Sequence, residues 1–167
     1  MSPQRQSLSI IVPAALAALV LTLAGCASGA RSGAAPPAPA YYASPDPKLA
    51  TLPFSEAVRA DDLLFLSGQI GSVPGTMQVA PGGIAAEARQ ALDNIRGILE
   101  RHGATMDDVV KCSVFLADMR DWPAFNEVYR QAFTKHFPAR SAFGANGLAL
   151  GARVEVECVA ALPAARR

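Results

Sequence analysis

Four consecutive large apolar residues, Leu63-Leu64-Phe65-Leu66, constrain this chain more than any other feature. In an extended strand, successive side chains point to opposite faces of the sheet. An unbroken apolar run therefore asks for burial on both sides. Residues 54–59 read as a first strand, Asp61-Asp62 as a turn, and residues 63–70 as the second strand of a hairpin. Pro74-Gly75 and Pro81-Gly82-Gly83 then mark residues 71–83 as a loop.

The period changes after that loop. Ile84, Ala88, Leu92, Ile95 and Leu99 recur at steps of three and four, which predicts a helix over residues 84–102 with Gly103 as its stop. Residues 109–116 return to strand alternation. Asp121 is placed to cap a second helix that tolerates Pro123 in its first turn and buries Phe125, Val128, Tyr129 and Ala132. Residues 141–145 and 153–160 read as the last two strands. The expected class is α+β, in the order β-β-α-β-α-β-β, with two helices on one face of a single sheet. Nothing else in the chain can cover the second face, so another subunit is expected to bury it.

The N-terminal third has a different character. Residues 10–23 are apolar apart from Pro13 and Thr22, too short for a bilayer span and suited to the core of a signal peptide. Leu23-Ala24-Gly25-Cys26 follows and resembles a bacterial lipobox, with Cys26 as the lipidated residue. The expected organisation is a signal peptide over 1–25, a lipidated cysteine and flexible Ala/Pro-rich tether over 26–48, and a folded domain over 49–167. Packing of the tether through Tyr41-Tyr42 is the alternative. Ala27 after the cysteine implies the outer membrane by resemblance to lipoprotein sorting signals. The expected location is the bacterial cell envelope, lipid-anchored on the periplasmic side.

Charge excludes one broad class. The chain carries 15 Lys and Arg against 14 Asp and Glu. That balance leaves no excess to neutralise phosphates, so nucleic acid is not an expected partner. Cys112 and Cys158 lie in apolar strand-like runs without His or Cys at metal-ligand spacing, so no metal site is expected. Free buried thiols are the favoured state, and a disulfide remains open outside the cytoplasm.

Two ionisable positions carry candidate chemistry. Glu155 and Glu157 alternate with Val154, Val156 and Cys158, so both carboxylates share one sheet face. That face is either solvated or the wall of a cleft, where a carboxylate would be desolvated and its pKa raised. Arg140 at a strand start is either a surface ion-pair partner or a fork for a substrate carboxylate.

The segments Phe65-Leu66-Ser67-Gly68-Gln69-Ile70-Gly71, Ala88-Arg89-Gln90-Ala91-Leu92-Asp93-Asn94-Ile95, Val110-Lys111-Cys112-Ser113-Val114-Phe115-Leu116, Pro138-Ala139-Arg140-Ser141 and Val154-Glu155-Val156-Glu157 decide the weighting. Together, and in this spacing, they resemble the RidA (YjgF-type) reactive-intermediate deaminases. The resemblance implies a chorismate-mutase-like fold, one mixed sheet, a homotrimer with clefts between subunits, and no cofactor. It implies hydrolysis of 2-imino acids, tautomers of 2-enamino acids, to 2-keto acids and ammonia. By the same resemblance Arg140 holds the substrate carboxylate and Glu155 orients water. Ser67, Gly68, Asn126, Phe54 and Ala142 line the ligand. Phe54 stands where many members have tyrosine, and Ala142 where cysteine is frequent. These departures keep a second reading, a non-catalytic trimeric module that binds small carboxylates. A nuclease is the third and weakest reading.

Overall fold

The computed structural model describes residues 37–162. The segment expected to be a signal peptide, Cys26 and the first part of the expected tether lie outside the described residues. Ten regular elements follow one another: β1 Ala40–Tyr42, α1 Pro47–Ala50, β2 Ala57–Ala60, β3 Leu63–Leu66, β4 Gln69–Ile70, α2 Ile84–Arg101, β5 Val109–Leu116, α3 Trp122–Ala132, β6 Ala139–Gly144 and β7 Val154–Ala161. The strands form one mixed sheet in the order β1-β2-β3-β7-β5-β6, with β4 also paired to β7. Only β5 and β6 run parallel among these pairs. A parallel pair needs a crossover, and α3 supplies it.

β1 corrects the expected tether. Residues 40–42, placed there in a flexible linker, pair antiparallel with β2, and Tyr42 packs 4.3 Å from the His102 ring. The alternative contact through Tyr41-Tyr42 is the one the fold uses. Phe54, expected to open a strand, lies in the loop before β2.

The expected strand over 63–70 is two strands. Phe65 pairs with Val159 and Gln69 with Val156. Four steps on this side match three on β7, so one extra residue bulges out near Ser67-Gly68. The Ser67 hydroxyl donates to the Ser55 carbonyl at 2.6 Å, and Gln69 Nε2 donates to the Ser67 carbonyl at 3.1 Å. These bonds satisfy the backbone where the ladder breaks.

α2 and α3 cover one face. Ala88, Leu92, Ile95 and Leu99 of α2 and Phe125, Val128 and Tyr129 of α3 pack on Leu64, Leu66, Val114, Val154 and Val156. α2 ends where expected, with Gly103 at φ 73° and the Ala104 N–H donating to the Leu99 carbonyl at 2.9 Å. Asp121 stands at the N-cap of α3 but does not cap it. Its carboxylate instead takes a two-pronged fork from Arg153, both contacts 2.9 Å.

The other face is bare in the protomer. Leu63, Phe65 and Phe143 are 39%, 43% and 53% exposed, while Leu64 and Leu66 are buried.

The two domain cysteines are not free thiols. Cys112 and Cys158 stand opposite each other on β5 and β7 and form a disulfide, with Cα atoms 4.1 Å apart. Cross-strand register brings the sulfurs together, and both residues are buried in the core.

Candidate functional site

Arg140 is half-buried on edge strand β6, opposite Cys112 of β5, and so points to the helix-covered side. Its guanidinium carbon lies 4.5 Å from the Tyr129 ring centre, 5.1 Å from Trp122 and 5.8 Å from Phe125. The three aromatics fall at steps of three and four along α3, which stacks them on one helix face. Cation–π attraction thus holds the charge without consuming N–H donors. Among the described residues Arg140 has no ion-pair or hydrogen-bond partner. Its fork is available to a carboxylate.

A cleft of about 390 Å³ opens beside it, lined by Asn126, Tyr129, Arg130, Phe137, Pro138 and Arg140. Asn126 Oδ1 and Tyr129 Oη are buried without a hydrogen-bond partner. Unsatisfied buried polar atoms are costly, and two of them beside one guanidinium mark a place where a further group belongs. Burial pushes the Tyr129 hydroxyl up to about 12, against the opposing pull of Arg140. The hydroxyl therefore stays protonated at neutral pH.

Glu155 belongs to a second group of residues. It lies on β7 opposite Phe115 of β5, on the bare face, with its carboxylate half-buried. Burial raises its pKa above the ordinary carboxylate value, and the neighbouring Glu157 charge adds to the rise. A carboxylate tuned in this direction suits proton transfer nearer neutrality. Gly68, at the bulge, leaves the space it occupies. A Cβ there would overlap Glu155 Oε1 and fall 2.8 Å from the carboxyl carbon. Ser67 is beside it but spends its hydroxyl on Ser55. Phe54 is 52% exposed in the loop preceding β2.

The lead into β7 is pinned from two sides. The buried Glu87 of α2 accepts the Arg153 N–H at 2.7 Å, and the Arg153 side chain forks onto Asp121 at the start of α3. These contacts fix β7, and with it Glu155, relative to the helix that carries the aromatic box.

The protomer does not bring Arg140 and Glu155 together. Their register partners on β5 are Cys112 and Phe115, and their own strands flank β5. Two strand spacings and three residues along the strand put their Cα atoms roughly 14 Å apart, with the side chains on opposite faces. Asn126 joins Arg140 in the cleft. Ala142 shares the face of Arg140 but packs against the core. Tyr129, Trp122 and Phe125 were not legible as site residues. Their helical spacing reads as core, and only the pairing of β6 with β5 turns Arg140 toward them. No group of His, Cys, Asp or Glu among the described residues could hold a metal.

Comparison with known proteins agrees with this architecture. The family model described as Endoribonuclease L-PSP matches residues 46–162. A 2-iminobutanoate/2-iminopropanoate deaminase of Capra hircus is 46% identical over 108 residues, covering 65% of this chain and 79% of that protein. The Homo sapiens protein of the same name is 45% identical over the same shares. Among solved structures, the YjgF gene product of E. coli superposes with a TM-score of 0.67 at 35% identity, covering 77% of this chain and 99% of that one. A putative endoribonuclease L-PSP from Entamoeba histolytica gives 0.69 at 40% identity, covering 74% and 99%. With the mixed sheet, the two covering helices and matches of this length, the chain belongs to the Endoribonuclease L-PSP (RidA/YjgF) family.

Proposed function

We propose that this chain hydrolyses 2-imino acids to 2-keto acids and ammonia. The observation that carries the reading is an arginine fork with no partner among the described residues, set beside two orphaned polar atoms, in a chain 46% identical to a named imine deaminase. Arg140 binds the substrate carboxylate. Glu155 takes a proton from water as the water oxygen adds to the imine carbon. The proton passes to nitrogen, the C–N bond breaks, and ammonia leaves as Glu155 takes the hydroxyl proton and the C=O bond forms. An iminium carbon is already electrophilic, so positioning supplies most of what is needed.

The separation of Arg140 and Glu155 is met by assembly. In the proposed homotrimer the exposed Leu63, Phe65 and Phe143 face is covered by a neighbour. Arg140 on edge strand β6 then meets Glu155 of the adjacent subunit. A cell-envelope location is part of the same proposal. The apolar leader and Cys26 support it, as does the Cys112–Cys158 disulfide, a bond that persists in oxidising compartments. The imine source would then be an envelope amino-acid-oxidising enzyme.

The first test generates 2-iminopropanoate in place and follows keto acid release at several pH values. Acceleration is expected, and kcat should rise through a limb displaced above the ordinary carboxylate range, because only ionised Glu155 accepts a proton. Stability runs the other way. A carboxyl whose pKa is raised by folding is most favourable while protonated, and its contribution is lost as pH rises through the folded value. Glu155→Gln is therefore expected to abolish the limb and slightly raise the melting temperature at pH 7. No acceleration at any pH would leave the carboxylate-binding module. That second reading draws on Phe54, Ala142 and the distance between Arg140 and Glu155 within one subunit.

Gly68→Ala tests the carboxylate's seat. The new Cβ would displace Glu155 by about an ångström, enough to cost roughly a hundredfold in kcat. KM and melting temperature should change little. A variant with wild-type kcat would remove Glu155 from the reaction.

A further inference from the structure

The cleft is larger and more cationic than a three-carbon imino acid requires. Its volume of about 390 Å³ lies in the range that accepts drug-sized ligands. Among the described residues, two guanidinium groups, Arg140 and Arg130, line it, and no carboxylate does. Asn126, Tyr129 and Arg130 occur at i, i+3 and i+4 of α3, so one helix face presents the orphaned amide, the aromatic seat of Arg140 and the second cation together. Arg130 is more than half exposed and, among the described residues, pairs only with Glu127, one turn back on its own helix and itself exposed. An exposed pair of this kind contributes little and yields readily to a better-placed anion.

Resting on the deaminase reading, we propose that the preferred substrates are 2-imino acids bearing a second acidic group, as formed from dicarboxylic amino acids, with Arg130 as the specificity-determining residue. Arg140 takes the carboxylate next to the imine carbon, and Arg130 takes the distal one. Phe137 and Pro138 wall the intervening methylenes. A neutral distal group would leave Arg130 on Glu127 and gain nothing from it. The hydrolysis itself is unchanged, with one water consumed and one ammonia released.

The test separates specificity from chemistry. Binding of 2-oxoglutarate and of 2-oxopentanoate, which share a chain length and differ in the second carboxylate, is measured by calorimetry on the full chain at low ionic strength. The dicarboxylate is expected to bind about tenfold tighter, and the preference should shrink as salt is raised. In Arg130→Gln the ratio should fall to near one, and in Arg130→Lys it should be partly kept. Equal binding in the wild type, or a ratio untouched by Arg130→Gln, overturns Arg130's role and leaves the deaminase reading intact. Binding of neither acid overturns both, since Arg140 would then hold no carboxylate.

Discussion

Subunits carrying Arg140→Ala and subunits carrying Glu155→Gln are each expected to be inactive alone and to recover activity when assembled together. The expectation comes from the sheet. Arg140 points to the helix-covered side of β6 and Glu155 to the bare side of β7, with β5 between them. A single subunit therefore cannot offer both to one small molecule. If each site borrows Arg140 from one subunit and Glu155 from the next, a random one-to-one assembly rebuilds about a quarter of the sites. Keto acid release from 2-iminopropanoate should recover to about that fraction of wild type. The parents should differ in kind. Glu155→Gln should keep ligand binding and lose roughly 10²–10⁴ in kcat. Arg140→Ala should lose the carboxylate fork and bind weakly. Co-refolded or co-expressed mixtures no more active than the parents would show that the two residues do not meet across an interface. The shared site would then have to be abandoned.

The sequence was most legible where one period runs without interruption. α2 and β5 end within a residue of their expected limits, and Gly103 closes α2, because these elements bury a single stripe or face and nothing competes with the pattern. Legibility failed where pairing overrides pattern. Ala40–Tyr42 is too short to show alternation and lies among prolines, yet β2 recruits it. The apolar run from Leu63 continues past Ser67-Gly68, so the bulge is invisible until β7 sets the register. Cysteine in an apolar strand reads alike whether free or bonded, and only the opposition of Cys112 to Cys158 decides it. The site shows the same division. Resemblance picked out Arg140, Glu155 and Gly68 by type. What Arg140 rests on, and which side of the sheet it faces, depend on β5 and β6 lying parallel. Tyr129 has the spacing of a core residue and is one, and its unpaired hydroxyl makes it part of the cleft as well.

Removing the disulfide should cost the fold several kcal/mol while leaving the cleft residues in place. It links positions 46 apart, and the chain-entropy relation puts the loss at about 4 kcal/mol for a loop of that length. Cys112→Ala/Cys158→Ala is expected to melt about 10 °C lower than the oxidised protein at the same concentration. Both sulfurs lie in the core, under α2 and α3, where reductant does not reach them in the folded state. Dithiothreitol should therefore act only as fast as the protein opens, and protein produced under reducing conditions should resemble the double variant. Equal melting temperatures for wild type and variant, with Cys112 and Cys158 both titrating as thiols in denaturant without reductant, would show that the bond does not form. The consequence reaches the site, because Cys112 is the register partner of both Cys158 and Arg140. The bond fixes β7 to β5 at the rung where β6 carries the arginine, so the strands bearing Arg140 and Glu155 are referenced to one covalent cross-link. Well below its melting point the reduced protein should still turn over. As temperature rises, its activity should fall before that of the oxidised form, which gives a chain matured in an oxidising compartment a wider working range than the same sequence kept reduced.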